Sequence, residues 1–519
     1  MKNIVYIFML IGALLLGSCS DMLETYPTEM VSGEQILSNA DGAQTVMNGI
    51  YRAMYTADWG SGWLDENSGI MAYTLVGSLM GEDHLMDASG NGWFFFDYIY
   101  GVSGDYQHQA GRPYQTWNFF YKIITNANVV IAKKDELEGS QEDVDAVVGQ
   151  AYAMRAFAYF NLIQFYQQSV TVDENAPGVP LYTEPTTIET EGKPRGTVEQ
   201  VYSQINTDIN LAVTLLENAK DGNWVRAHES YIDYYVANGL KARINMAQGT
   251  AANYTIAAAA AKEALTKPGL KVASLAEFAG WNNKLSPNVL WALEVIPTQS
   301  ENFRGFFSHM DADAPGMYAR SARQCVSKWL YRSIPATDAR KGWWRDSLAT
   351  TEIVANTSFR SFCQLKFKFA NPTTRTGDYL IMRAEEMVLI AAEAECHLEN
   401  YSEARNQIRK LGEKRDSNYA LRLLTFINAK TYNANTVDPL LTLMDEILFQ
   451  RRVELWGEAP RIFDLQRLGL GVTRVYPSSN HHAWGRFDEG PASIYYILPL
   501  PQAEFDGNPN ISLSEQNPM

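Results

Sequence analysis

Apolar positions return at helical spacing along most of this chain. The pattern runs over about 34–55, 114–134, 144–167, 228–248 and 254–266, then over 384–399, 401–416 and about 439–456. In the first of the later pair, Met387, Ala391, Ala394 and Leu398 fall on one stripe, and in the second Ala404, Ile408 and Leu411 do the same. The connection between these two is very short, which predicts an antiparallel hairpin. Thr197 reads as the cap of another helix, with Gln200 placed for a capping box. Val289-Leu290-Trp291-Ala292-Leu293 reads as a short buried strand. Pro177, Pro180, Pro185 and Pro194 mark 168–196 as an extended connection. Residues 56–113 are rich in Gly, polar turns and clustered aromatics and read as a long loop-rich insert; 268–380 is mixed, and the tail from Tyr495 is irregular. Helix pairs with small residues on their packing stripes predict a mostly α fold, an α-solenoid without a clean fixed-period repeat, carrying long loop-rich inserts and few strands.

The first residues follow a different pattern. Lys2 precedes an uncharged apolar run from Ile4 to Leu16, too short to span a bilayer and suited to the core of an export signal. Leu16-Gly17-Ser18-Cys19 then resembles a bacterial lipobox, whose cysteine is acylated and becomes the new N-terminus. The expected organisation is a lipoprotein signal at 1–18, lipidated Cys19 with a polar tether to 33, and a single body over 34–519. That body divides into an N-terminal part of about 34–266 and a C-terminal part of about 267–519. Multiple acyl chains give stable anchoring, so the protein is expected on a membrane, lipid-anchored and outside the cytoplasm.

A net charge of −16, from 43 basic and 59 acidic residues, argues against nucleic acid or an anionic surface as partner. The chain has 12 Trp, 28 Tyr and 22 Phe, more rings than a core alone calls for, which suits a surface that stacks on flat ligand faces. After Cys19 only Cys325, Cys363 and Cys396 remain, too few for a disulfide framework. Cys396 reads as a small buried hydrophobe; whether Cys325 and Cys363 pair in an oxidising compartment stays open.

Several blocks are recognisable in order. They are Trp117–Asn128, Ala151-Tyr152-Ala153-Met154-Arg155-Ala156-Phe157-Ala158-Tyr159-Phe160, Arg195–Tyr202, and Met382–Glu386 with Ala391–Ala394. Arg451-Arg452-Val453-Glu454-Leu455 with Arg461–Arg467, Leu498–Pro501 and Asn508–Asn510 complete the series. Together with the lipobox they resemble the SusD/RagB family of Bacteroidetes surface lipoproteins over essentially the whole chain. Gln450 stands where that family often has Glu, and Ala459-Pro460 departs from its usual spacer. The resemblance implies tetratricopeptide-like helix pairs, a loop-rich binding face, no catalysis, and a partner, a SusC-type TonB-dependent outer-membrane transporter that receives the captured nutrient. It carries over no ligand-binding residue.

The chemistry is read from the residues. Glu454 and Glu458 share a helix face, but Arg451, Arg452, Arg461 and Arg467 interleave with them and favour ionised carboxylates, which suits a structural lattice and not a general acid. Arg155, among alanines and aromatics, is expected to be a buried arginine with a carboxylate partner. Asp87, Ser89 and Asn91 mimic the start of a calcium loop whose twelfth position, Tyr98, is no ligand. No metal or cofactor is expected. Trp93–Tyr100, read as a strand, follows the polar turn Asp87–Gly92. As a whole the stretch reads as core, a hairpin packed on the helical body; at its turn edge Trp93, or a neighbouring Tyr, is a candidate stacking platform with Asn91 and Asp97 as hydrogen-bonding neighbours. Trp59 and Trp63 flank glycines in the same insert, and Phe303, Phe306, Tyr318 and Trp329 lie in the later one. The working expectation is an aromatic ligand face assembled from both inserts. Its ligand would be an oligosaccharide, or alternatively an oligopeptide; a lipid-anchored hydrolase and a purely protein-binding scaffold are the rival classes.

Overall fold

A computed structural model describes residues 36–57, 64–101, 106–220, 228–278, 280–345, 361–433 and 441–519, and the backbone of 352–354 and 357–359. The export signal, Cys19, the tether, Trp59 and Trp63 lie outside the described residues.

The N-terminal helices are α1 (Ala40–Ala53), α2 (Ile70–Leu79), the short α3 (Phe95–Ile99), α4 (Gly111–Ala132), α5 (Gln141–Tyr166), α6 (Val198–Asn218), α7 (Tyr234–Gln248) and α8 (Ala251–Ala264). Further along come α9 (Phe306–Met310), α10 (Lys328–Ser333), α11 (Ala384–His397), α12 (Tyr401–Arg415), α13 (Tyr419–Leu423), α14 (Leu443–Glu454), α15 (Arg461–Arg467) and α16 (Gln502–Gly507). The long helices pack as a series, α4 on α5, α5 on α6, α6 on α7, α7 on α8, α8 on α11 and α11 on α12. Each element thus rests mainly on its neighbours, the arrangement of a helical solenoid. No helix among the described residues is long and apolar enough to cross a membrane.

Local chemistry sets these helices. Thr197 caps α6 by accepting from the Gln200 N–H, while the Gln200 side chain accepts from the Thr197 N–H, closing the capping box. Ser140 and Asp233 cap α5 and α7 in the simpler way. Gly249, at φ 72°, ends α7 in the left-handed region that glycine enters freely. Small residues let α5 run through the centre: Ala151, Ala153, Ala156 and Ala158 are wholly buried. Arg155 on the same helix grips Asp208 of α6 with both arms, at 2.8 and 2.6 Å, and donates to Asn128 of α4 at 2.7 Å. One buried guanidinium therefore ties three successive helices.

The strands are short and pair in twos among the described residues. They include β1 (His84–Met86), β2 (Pro177–Pro180), β3 (Arg195–Thr197), β4 (Val289–Leu293), β5 (Gln324–Val326), β6 (Glu352–Val354), β7 (Thr357–Phe359) and β8 (Tyr379–Arg383). The buried strand predicted at 289–293 is β4; it pairs antiparallel with β8, which leads straight into α11. β1 pairs antiparallel with β5, His84 opposite Val326, and so joins the two inserts.

Two readings are corrected. The first insert is not loop throughout: α2 lies within it, buried along its whole length. Trp93–Tyr100 is not a strand. Phe94 and Tyr100 take positive φ, 60° and 53°, and bracket the single turn of α3. The cost of a left-handed bulky residue is offset by tertiary contacts. The Phe94 N–H donates to Glu66 Oε1 at 2.5 Å, the Arg112 guanidinium lies over the Phe94 ring at 5.4 Å, and His309 meets that ring edge-on at 4.9 Å.

Candidate functional site

Three rings from the two inserts meet at the surface. Tyr318 is central: Trp93 approaches it edge-on at 6.2 Å between centroids, Phe303 edge-on at 5.8 Å, and His309 stacks behind it at 5.0 Å. Trp93 and Tyr318 are half-buried and Phe303 is exposed, so each keeps part of its ring open to solvent. The polar turn before Trp93 holds its position through glycine. At Gly90 (φ 52°) an added Cβ would lie 2.7 Å from that of Ala322, so the turn sits directly on the second insert. Asn91, exposed, stands beside Trp93 on the rim of a dimple floored by Met86, His309, Ala322 and Gln324. The enclosed volume is about 10 Å³, room for little more than a water, so the rings form a platform and not a pocket.

Polar groups fix the platform from below. The Tyr318 hydroxyl donates to Asp65 Oδ1 at 2.6 Å, and burial followed by that carboxylate pushes the phenol up to about 12. Arg304 stands 3.9 Å from Asp65 with its guanidinium over the Phe303 ring at 5.6 Å. His309 is held near 4, chiefly by burial, so its ring is neutral behind Tyr318 at physiological pH. Beside Phe94, Arg112 clasps Asp97 with two bonds of 3.0 Å and lies 3.6 Å from Glu66. Burial pushes Glu66 up to about 7 against the pull of Arg112, and Asp97 adds to the rise.

The other candidates separate from this face. Asp97 is buried and committed to Arg112, so it offers no hydrogen bond to a ligand. Phe306 is 2% exposed and packs on Phe307, Phe367 and Tyr379 in the core. Trp329, half-buried, packs on Tyr476. Sequence reasoning missed Asp65, His309 and the Glu66–Arg112 support. Asp65 and Tyr318 are 253 positions apart, and no local pattern signals their meeting.

The charged block at 451–467 is a lattice. Glu454 is wholly buried and receives Arg340 at 3.1 Å, Arg383 at 3.2 Å and Arg415 at 3.0 Å. Burial alone would raise its pKa; the three guanidiniums more than reverse this and hold it far below the carboxylate range. Glu458 is likewise lowered, by Arg383 and Lys366 against burial. Arg452 holds Asp83 at 2.6 Å across 369 positions, and Arg461 holds Glu82 at 2.8 Å, fastening the end of α2 and the start of β1 to the C-terminal helices. A larger cleft of about 100 Å³ lies beside this block, between Phe160, Met246, Leu380 and Phe463. Its charged members are already paired, Arg243 with Glu386, Arg451 with Asp464 and Arg467 with Glu393. Asp87, the first position of the apparent calcium loop, accepts from the Arg323 N–H at 2.8 Å.

Comparison with known proteins defines the class. Residues 222–519 match the model of the SusD family, and 68–246 match a model described as "Starch-binding associating with outer membrane". The chain belongs to the SusD family. A curated relative, SusD-like protein P2 of Formosa agariphila, is 23% identical over 98% of this chain and 99% of its own length. A SusD-like carbohydrate binding protein from Bacteroides vulgatus superposes with a TM-score of 0.74 at 25% identity, covering 93% of this chain and 99% of that one. Surface glycan-binding protein A from Bacteroides thetaiotaomicron, solved with laminarihexaose, shares the fold with a TM-score of 0.67 at 17% identity, covering 92% and 98% of the two chains.

Proposed function

We propose that this protein captures oligosaccharides at the cell surface and passes them, unaltered, to a SusC-type TonB-dependent transporter. The observation that carries the reading is the half-open platform of Trp93, Tyr318 and Phe303 with Asn91 at its rim. Sugar rings present flat apolar faces ringed by hydroxyls, and such faces stack on aromatic rings whose flanks offer hydrogen bonds. The printed description of one matching family model, and relatives that bind carbohydrate or laminarihexaose, support a glycan as ligand. Acylated Cys19 would anchor the body to the outer membrane, its face turned outward, and residues 34–519 would act as one unit. The paired, strongly ionised carboxylates of the lattice suit capture without turnover.

Calorimetric titration of the leaderless body against oligosaccharides and oligopeptides, each mixture then assayed for cleavage, tests this. Saturable glycan binding without product is the expected outcome. Binding of peptides alone would transfer the reading to an oligopeptide, and product would establish a hydrolase.

A further inference from the structure

We propose that Cys325 and Cys363 are partners in a disulfide that closes as the exported chain folds. The proposal rests on the reading that the body leaves the cytoplasm, because structural disulfides persist only in oxidising compartments.

Placement is the first argument. Cys325 is the middle residue of β5 and lies directly opposite Cys363 in an antiparallel bridge. The Val326 N–H donates to the Phe362 carbonyl at 3.1 Å, and the Gln364 N–H to the Gln324 carbonyl at 2.9 Å. The cysteines therefore occupy a non-hydrogen-bonded position, where facing Cα atoms come within about 4.5 Å, inside the range that a disulfide spans. The two Sγ atoms face each other at 3.3 Å, and both residues are buried. Closure draws the two sulfurs from 3.3 Å to bonding distance.

The surroundings leave few other roles. Among the described residues no cluster of His, Cys, Asp and Glu could hold a metal. The Cys363 contact and burial raise the Cys325 thiol well above its ordinary range, so it is no reactive thiolate in the folded state. Cys396 cannot compete: it belongs to α11, and its Sγ is turned to the Ala429 carbonyl at 3.6 Å. Closure consequently belongs to folding, while oxidant still has access. One thiolate attacks a disulfide oxidant of the compartment, giving a mixed disulfide and one released thiol. The second cysteine displaces the other half. Two thiols lose two protons and two electrons, and one oxidant disulfide becomes two thiols.

The bond would brace the ligand platform. β5 lies between β1 and the Cys363 segment, and Trp344 pairs with Gln364 on that segment's far side. Met86 and Gln324, on the strands so joined, floor the dimple beside Trp93.

The test is a digest of the full chain purified from membranes, denatured with a maleimide and without reductant. The Cys325 and Cys363 peptides are expected cross-linked, two hydrogens lighter than their sum, with Cys396 alone alkylated. Reduction should lower the unfolding temperature by about 4 °C, given the 38-position separation of the pair. Cys396→Ser should keep the cross-link and Cys363→Ser should abolish it. The N-terminal peptide of the same digest reports export independently through acylated Cys19. Acylated Cys19 with both thiols alkylated would overturn the pairing. Should Cys19 be unprocessed and the thiols free, the export reading fails instead. Oxidised glutathione then decides the pair: a cross-link upholds it, and glutathione adducts or free thiols overturn it.

Discussion

Single buried charges decide much of the local behaviour. Two carboxyls, Glu66 and Asp97, share one guanidinium beside Phe94, so one of them is short of compensation. Glu66 rises from 4.5 to about 7, first through burial. Below the unfolded value it is protonated in both states and costs nothing. Between 4.5 and about 7 the unfolded chain ionises while the folded one resists, so its contribution falls as pH rises and the penalty is complete above that window. Glu66→Gln keeps an acceptor for the Phe94 N–H and removes this titration. Relative to the parent, that variant should gain on the order of 2 kcal/mol between about pH 5 and about pH 8 in urea denaturation. A stability difference that is flat with pH would contradict the assignment. The lattice behaves oppositely. Glu393, buried but held by Arg467, sits near 2, and its contribution is lost only in acid. Sequence reading anticipated the interleaved charges at 451–467 because opposite signs lie side by side there. It could not see Arg340, Arg383, Arg415 or Glu82, which come from distant segments.

At the level of elements, legibility follows amphipathicity. α1, α4, α6, α12 and the α6 capping box were visible because a polar face or cap alternates with an apolar one. α2 was missed for the converse reason: every residue from Ile70 to Leu79 is buried, so no periodic contrast marks it. α11 was read as a helix from the stripe of Met387, Ala391 and Ala394, but that stripe did not show that it is buried on all sides, with Glu385 and Glu393 wholly enclosed. The aromatic run at 93–100 mimics a strand by alternation, but Glu66 and Arg112, remote in sequence, fold it into α3. Packing between helices gives a test whose sign runs against propensity. Gly→Ala in a helix normally stabilises by up to about 1 kcal/mol. At Gly149 of α5 the new Cβ would stand 2.8 Å from Leu216 Cγ and 3.2 Å from Leu215 Cβ of α6. Gly149→Ala should therefore lower stability by about 1–3 kcal/mol, read as an earlier urea midpoint; a later midpoint would show that α6 yields at no cost.

Over the whole molecule, the solenoid is a frame and the inserts are its cargo. Arg452–Asp83 and Arg461–Glu82 fasten the first insert to the C-terminal helices, and β1–β5 fastens the two inserts to each other. A platform assembled from residues as distant as Asp65 and Tyr318 can hold its shape only on such a frame. Family and fold class were legible from the order of recognisable blocks, several of which lie on α4, α5, α6, α11, α14 and α15. Of the site, Trp93, Asn91, Phe303 and Tyr318 were named as candidates and do meet. Phe306 and Asp97 were indistinguishable from them by residue type, since burial is a property of the fold.

The central claim, that this platform holds the ligand, is tested most directly by titrating Trp93→Ala with an oligosaccharide that binds the parent protein. Loss of a stacking ring from the face predicts at least ~10-fold weaker binding with an unchanged unfolding temperature, because Trp93 is only half-buried. Unchanged affinity would place the ligand elsewhere, and a collapse of the unfolding temperature would make Trp93 a core residue.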